Sequence, residues 1–168
     1  RYFEHLRGVA LILLDECGVT SPDLIVTALL HDSVEDSPIF GTATAPYLMW
    51  IQTARYRLGK LFGASVAEMV LALTKPQALG RGIRAKGQVN NLYLAHLRSA
   101  PPAALLVKMA DRLHNLRSLP TTTAEKRSRT VAETKRYYLP LFERVLKRYP
   151  REGKYLLGEI EKIVSRLQ

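Results

Sequence analysis

Cysteine is nearly absent from this 168-residue sequence, in which Cys17 is the single example. One cysteine excludes an internal disulfide and a cysteine-rich zinc site. Cys17 lies on the apolar side of a predicted helix, so we expect it to be a core residue. Long apolar runs are also missing, and none approaches the ~20 residues needed to cross a bilayer. With no recognisable signal peptide, these features predict a cytoplasmic protein without a membrane partner.

Acidic residues are scarce beside basic ones, with 15 Asp and Glu against 25 Lys and Arg and a net charge of +10. Such an excess attracts nucleic acid, a membrane surface or a heavily phosphorylated small molecule. Most of the basic residues are spread from Arg55 to Arg166 without a basic tail, and neither an RNA-binding aromatic signature nor zinc-finger spacing occurs. The charge therefore favours a solvated basic surface first, an anionic small-molecule site second and nucleic acid third.

Strand-like alternation and internal repeats are missing, and the apolar residues recur at helical spacing. The first helix should end near Gly18, and Ser21 and Pro22 should begin a buried helix that runs to Leu30 and cannot pass Pro38. Further helices are predicted at 45–61, 64–73 and 89–98, with a loop at 75–88. Three more should begin at Pro102, at the PTTTAEK segment and after Pro150, and the second of these should kink at Pro140. We therefore predict one all-α domain over residues 1–168.

The segment TALLHDSVEDS, residues 27–37, ends an apolar run with an imidazole and three carboxyls, those of His31, Asp32, Glu35 and Asp36. Adjacent helical positions point about 100° apart, so His31 and Asp32 can reach one ion only near a helix terminus or in a cleft. Carboxylates this close repel each other unless a cation or a shared proton intervenes. From the spacing alone, a capping and turn cluster is as good an explanation as a metal site.

A second polar group follows an apolar run in LLVKMADRLHNLRSL, where Lys108, Asp111, His114 and Asn115 share one helical face. A salt-bridged surface stripe is the simpler explanation for a single helix of this kind. Two helices that each end an apolar run in this way favour a shared site.

His5 lies just before the apolar stripe of the first helix, where a lone histidine more often begins a helix than binds a ligand. Together with His31, Asp32 and Asp111 it would complete a set of two imidazoles and two carboxylates. This mixture of nitrogen and oxygen ligands suits Mn²⁺, Fe²⁺ or Zn²⁺ better than Ca²⁺ or Mg²⁺.

An early His, a His-Asp doublet and a later Asp on a separate helix resemble the metal pattern of the HD superfamily. More narrowly, HDSVED together with VKMADRLHNLRSL resembles the hydrolase domain of the RelA/SpoT alarmone enzymes. RYFEHLRGVALIL is similar to that family's first-His segment, LTKP to its short link, and VAETKRYYLPLFERV to the helix that follows. The resemblance reaches from residue 1 to about residue 145 and implies a single-domain, HD-type helical bundle.

The resemblance implies an enzyme that removes the 3′-pyrophosphate from guanosine tetraphosphate and pentaphosphate, giving GDP or GTP and pyrophosphate. The implied cofactor is Mn²⁺, or another divalent transition metal, and the implied partner is the small nucleotide substrate. The implied metal ligands are His5, His31, Asp32 and Asp111.

Further roles follow from the same resemblance. Glu35 and Asp36 would orient or deprotonate the attacking water or protonate the leaving oxygen. Asn115 would contact the nucleotide, and the weaker candidates for substrate binding are Lys108, Arg112, Ser118 and Thr134.

The sequence departs from its relatives in two places. They carry a basic segment just before the first His that grips the phosphates and the base. This sequence begins four residues before His5, so we expect that segment to be either absent or outside the sequence, which leaves the nucleotide affinity open. Residues 37–63 form a longer link than usual and are expected to reshape the mouth of the pocket.

Three alternatives stay open: another HD phosphohydrolase acting on a different nucleotide, a non-catalytic nucleotide-binding regulatory domain, and a nucleic-acid-binding module. The match at 108–115 disfavours the first, the complete set of presumed ligands disfavours the second, and the third is the weakest. The particular alarmone and the oligomeric state stay open as well.

Overall fold

A computed structural model describes residues 2–42, 44–76 and 86–167, and every regular element in these ranges is helical. The α-helices are α1 (Tyr2–Leu11), α2 (Pro22–Leu30), α3 (Ser33–Asp36), α4 (Tyr47–Phe62), α5 (Ala64–Leu73), α6 (Lys86–Ser99), α7 (Pro102–Arg117), α8 (Ala124–Glu133), α9 (Leu139–Leu146) and α10 (Pro150–Arg166). Two π-helical turns at Ile12–Glu16 and Thr134–Tyr138 and two 3₁₀ turns at Pro38–Phe40 and Leu119–Thr121 complete the set. The prediction of an all-α fold is confirmed.

Most predicted helix boundaries agree with the structure. α2 begins at Pro22 and α5 spans the predicted residues, although the side chain of Ser21 makes no capping hydrogen bond. α4 begins two residues late because Pro46 is held in an extended conformation (ψ 138°) before the first turn. α6 begins at Lys86, so the predicted loop was wrong for residues 86–88, and residues 77–85 of that loop lie outside the described residues.

Helix α7 lies at the centre of the molecule, where it packs against α1, α2, α5, α9 and α10. Every residue from Ala104 to Leu113 is buried, including the charged Lys108, Asp111 and Arg112. Because buried charges are costly unless they are paired, the polar residues of this helix must find partners inside the fold. None of the described helices is long and apolar enough to cross a membrane.

A smaller apolar cluster fixes the turn that follows α2. Val34 of α3 and Phe40 of the following 3₁₀ turn, both after this turn, pack with Trp50 and Leu58 of α4 and with Val70 of α5. The α4–α5 pair therefore holds the HDSVED segment against the rest of the domain.

Cys17 is a core residue, as predicted, with 5% of its surface exposed. Burial raises the pKa of its thiol to about 12. The chain leaves the first helix at Gly18, whose φ of +68° is a left-handed conformation that favours glycine.

The helix predicted to kink at Pro140 is interrupted directly before that residue. The π-helical turn Thr134–Tyr138 separates α8 from α9, and Pro140 lies in the first turn of α9. Since proline has no N–H to donate, a regular hydrogen-bond ladder cannot continue through this position.

Candidate metal centre and adjoining cavity

His31 and Asp32 occupy the turn between α2, which ends at Leu30, and α3, which begins at Ser33. The hydroxyl of Ser33 donates a hydrogen bond to the carbonyl of Leu30 at 2.6 Å and closes the turn. This geometry brings the adjacent side chains together, with 3.3 Å between Nε2 of His31 and Oδ2 of Asp32. Adjacent residues of a helix can reach one ion only near a helix terminus or in a cleft, and His31 and Asp32 lie at a helix terminus.

Helices α1 and α7 add the other two predicted ligands. Nε2 of His5 lies 3.2 Å from Oδ1 of Asp111 and 3.8 Å from Oδ2 of Asp32. Nε2 of His31 lies 3.7 Å from the same oxygen of Asp111. One ligand atom each of His5, His31 and Asp32 lies within 4.8 Å of the others. Three distant stretches of the sequence therefore meet at one point.

The chemistry of His31 calls for a cation at this point. Its Nδ1 lies 2.8 Å from the carbonyl of Ala28, which can only accept, so Nδ1 carries the ring proton of the neutral imidazole. Nε2 is fully buried and has no hydrogen-bond partner. In the neutral ring this lone pair faces the carboxylates of Asp32 and Asp111, so acceptors face acceptors.

A proton or a metal ion resolves this conflict. Burial lowers the pKa of His31, but the carboxylates of Asp111 and Asp32 outweigh that effect and raise it to about 10. Burial also raises the pKa of Asp32, but the neighbouring His31 lowers it by more, so the pKa of Asp32 lies below its usual value. Asp32 and Asp111 are therefore ionised, and a divalent ion with mixed nitrogen and oxygen ligands can take the place of the proton on Nε2 of His31.

Asp111 is oriented by two residues of its own helix. Nζ of Lys108 lies 2.7 Å from Oδ2, and Nδ2 of Asn115 donates to Oδ1 at 2.7 Å. Burial raises the pKa of Asp111, but the ammonium of Lys108 and the nearby His31 and His5 hold it well below its usual range. Asp111 therefore stays ionised inside the protein, with Oδ1 directed towards the two histidines.

Glu35 connects the HDSVED segment to the LTKP link. Its Oε1 accepts a hydrogen bond of 2.7 Å from the backbone N–H of Lys75, and its Oε2 lies 3.7 Å from Nζ of the same residue. Asp36, the next residue of α3, is exposed. The assignment of both residues to the reaction stays a prediction.

A cavity of about 550 Å³ adjoins the cluster and shares Asp111 with it. Four cationic side chains, two carboxylates and three tyrosines are among its lining residues: Lys75, Lys108, Arg112, Lys126, Asp111, Glu133, Tyr93, Tyr137 and Tyr138. The guanidinium of Arg112 lies 3.7 Å from the ring centroid of Tyr138. Cations beside aromatic faces suit a ligand that combines negative charge with a flat ring.

The predicted substrate-binding residues divide into two groups. Lys108, Arg112, Asn115 and Ser118 line the cavity. Thr134 does not, because it is fully buried at the start of the π-helical turn and its hydroxyl donates to the carbonyl of Thr130 at 2.7 Å. The α8 segment lines the cavity through other residues, among them Thr130 itself.

Sequence reasoning missed the tyrosines of the cavity and the contact of His114 with His5. The signal available for the tyrosines was the adjacent pair Tyr137 and Tyr138, which ends two residues before Pro140. His114 was recognised on the polar face of α7, but its 3.0 Å contact with His5 joins residues 109 positions apart.

Comparison with known proteins defines the class. The profile of the HD domain family matches residues 1–145, and the chain belongs to that family. Its relatives agree with the predicted RelA/SpoT resemblance. The chain is 38% identical over 149 residues to "GTP pyrophosphokinase rsh" of Brucella ovis, covering 86% of this chain and 17% of that protein. It is 36% identical over 124 residues to "Guanosine-3′,5′-bis(diphosphate) 3′-pyrophosphohydrolase MESH1" of Danio rerio, covering 74% of this chain and 58% of that one.

A third relative is the "Guanosine-3′,5′-bis(diphosphate) 3′-pyrophosphohydrolase" of Haemophilus influenzae, 35% identical over 126 residues that cover 73% of this chain and 16% of that protein. The fold is also similar to a solved structure described as a metazoan ortholog of SpoT that hydrolyzes ppGpp. That match has a TM-score of 0.65 and 26% identity, and it covers 98% of this chain and 80% of the other. The chain therefore spans 58% or less of the length of each of these three curated relatives.

Proposed function

We propose that the protein removes the 3′-diphosphate of guanosine tetraphosphate and pentaphosphate as pyrophosphate, leaving GDP or GTP, in a reaction that depends on Mn²⁺. The observation that carries this proposal is the buried Nε2 of His31, which has no hydrogen-bond partner and faces two carboxylates beside a basic cavity. We place this activity in the cytoplasm.

The cavity supports a polyanionic substrate. Lys75, Lys108, Arg112 and Lys126 bring four positive charges to its wall, and the whole chain carries +10. Such a field attracts a nucleotide with two diphosphate groups. Tyr137 offers an aromatic face against which a purine can pack, whereas the buried ring of Tyr138 holds the guanidinium of Arg112.

His5, His31, Asp32 and Asp111 would hold the ion. When bound, Mn²⁺ polarises a phosphoryl oxygen and makes water a better nucleophile at neutral pH. Lys108 and Asn115 keep Asp111 ionised and aimed at that point. The carbonyl of Ala28 keeps the proton of His31 on Nδ1, so that Nε2 remains a ligand.

The reaction adds the oxygen of water to the phosphorus next to O3′ and breaks the bond between that phosphorus and O3′. One proton leaves the water and one reaches the departing O3′. We assign these transfers to Glu35 and Asp36, of which Glu35 is anchored through the backbone N–H of Lys75. A placed carboxylate typically contributes roughly 10²–10⁴-fold to such a step.

The test is to incubate the purified protein with guanosine tetraphosphate and Mn²⁺, and again after chelation, and to separate the products. We expect GDP and pyrophosphate in equal amounts with Mn²⁺ and none after chelation. Release of single phosphates, or activity on ordinary nucleoside triphosphates alone, would assign the protein to another branch of the HD family. Nucleotide binding without turnover would indicate a regulatory domain, and polynucleotide binding that weakens steeply with salt would indicate a nucleic-acid module.

A further inference from the structure

His5 and His114 face each other through the same kind of ring atom. Nδ1 of His5 lies 3.0 Å from Nδ1 of His114, and the ring centroids are 4.8 Å apart at an interplanar angle of 70°. Two neutral nitrogens at this distance form a hydrogen bond only when one carries a proton and the other a lone pair. The tautomer of His114 therefore determines the tautomer of His5.

The other nitrogen of His5 belongs to the metal centre. Nε2 lies 3.2 Å from Oδ1 of Asp111 and 3.8 Å from Oδ2 of Asp32. For Nε2 to bind an ion, its lone pair must be free and the ring proton must reside on Nδ1. That proton then needs an acceptor, and Nδ1 of His114 lies at the correct distance.

Gly8 provides the space for the His114 ring. It lies one helical turn after His5 in α1, and a Cβ built at this glycine would overlap Nε2 and Cδ2 of His114. Any larger residue at position 8 must displace the imidazole. By contrast, a Cβ added at Gly158 in α10 would have no atom within 4 Å, so an alanine fits there without displacing a neighbour.

We infer that His114 is a positioning residue of the metal centre: it accepts the Nδ1–H of His5 and directs the Nε2 lone pair of His5 to the ion, and Gly8 keeps the His114 ring in place. Histidine ligands commonly donate their second N–H to a carboxylate, a backbone carbonyl or water, and removing such a partner typically costs about 10–100-fold in metal affinity. Here a second imidazole takes that role. This inference rests on the metal site of the proposed function.

The test compares Mn²⁺ affinity across matched variants. His114→Ala should raise the Kd for Mn²⁺ by roughly 10–100-fold. His114→Asn should recover most of the affinity, because its Oδ1 occupies the position of Nδ1 and accepts the same proton. Gly8→Ala should weaken Mn²⁺ binding as His114→Ala does, whereas Gly158→Ala, also a glycine in a helix, should bind Mn²⁺ as the wild type does.

A second readout separates positioning from a general structural effect. In the Zn²⁺-loaded wild type, nitrogen NMR should show the proton of His5 on Nδ1 and that of His114 on Nε2. Melting temperatures of the metal-free variants identify any that fail to fold, and His114→Asn and Gly8→Ala then carry the test.

Two results would overturn the inference. One is a folded His114→Ala variant that binds Mn²⁺ within about twofold of the wild type, where removal of an outer partner typically costs at least tenfold. The other is a Zn²⁺-loaded wild type whose His5 proton resides on Nε2. Both results leave the proposed function intact. A wild type that binds no Mn²⁺ at all would instead overturn the proposed function and this inference together.

Discussion

Nζ of Lys108 lies 2.7 Å from Oδ2 of Asp111, three residues further along α7, and both side chains are more than nine-tenths buried. The chain contains a second pair with the same spacing and the same distance, Glu159 and Lys162 of α10, but the Lys162 side chain is 64% exposed. The two pairs share their spacing and their distance, in reverse chain order, but differ in the exposure of the lysine.

Lys108→Met should destabilise the protein strongly. Methionine nearly preserves the volume of the lysine side chain but leaves the Asp111 carboxylate buried without its cation, a change that typically costs about 3–5 kcal/mol. Lys162→Met is the matched control, because an exposed pair contributes about 1 kcal/mol or less. Urea unfolding of both variants gives the two free energies, and equal losses would contradict the role of Lys108.

His31→Ala should abolish metal binding. Elemental analysis of the wild type after loading with Mn²⁺ should give about one ion per chain, since the cluster offers one set of converging ligand atoms. An excess of Mn²⁺ at 100 times Kd should stabilise the wild type by about 2.7 kcal/mol and leave the variant unchanged.

The control is His96→Ala. His96 is half-buried and its Nε2 lies 3.1 Å from the carbonyl of Leu71, on a different pair of helices. This variant should still take up Mn²⁺. No metal in the wild type and no change in its melting temperature with Mn²⁺ would reject the metal site itself.

Glu35→Gln and Asp36→Asn should keep the metal and lose turnover by roughly 10²–10⁴-fold. In the Glu35→Gln variant the amide oxygen can still accept from the N–H of Lys75, so the link between the two segments persists. Asp23→Asn, in the first turn of α2, changes a carboxylate outside the cluster and should leave the rate unchanged. If Glu35 and Asp36 only cap or shape the turn, both amide variants will be fully active and will lose about 0.5–2 kcal/mol of stability.

Cys17 should react slowly with thiol reagents until the protein unfolds, because burial raises its pKa to about 12 and the reactive thiolate is scarce. The folded state therefore holds the thiol proton more tightly than the unfolded state does. The stability from this group is complete below the unfolded pKa of about 9 and is lost as pH rises towards 12. Alkylation rates with and without denaturant check the first point, and a shallower alkaline loss of stability in Cys17→Ala checks the second.

The sequence was sufficient for the helical class, because apolar periodicity is a local property, whereas the choice of His5, His31, Asp32 and Asp111 as one set depended on the family resemblance. α5 could be placed from Gly63 and the apolar run that follows, and the turn after α2 from His31 and Asp32. Contacts between distant segments were not predictable in this way. Nothing in the spacing of Glu35 and Lys75 indicates that they meet across 40 residues, or that His114 meets His5.

The orientation of Thr134 shows a second limit. A regular helix through this segment allows its side chain to face the cavity, and the resemblance suggested the same. Instead Thr134, which ends α8 with helical angles and begins the π-helical turn, is buried, and its hydroxyl donates to the carbonyl of Thr130. The face that α8 presents to the core is set by packing between distant segments, which the residues of α8 alone do not reveal.

The same turn also stores one residue that regular winding would not hold. A π-helical turn contains one residue more than the α-helical turn it replaces, and here the neighbouring Tyr137 and Tyr138 both line the cavity. In a regular α-helix the loss of one residue rotates all that follows by about 100°. Here the loss of one residue should be absorbed by a return to regular winding, so that Leu141, Phe142 and Val145 keep facing the core. A one-residue deletion in this turn should therefore spare the fold and change the wall of the cavity.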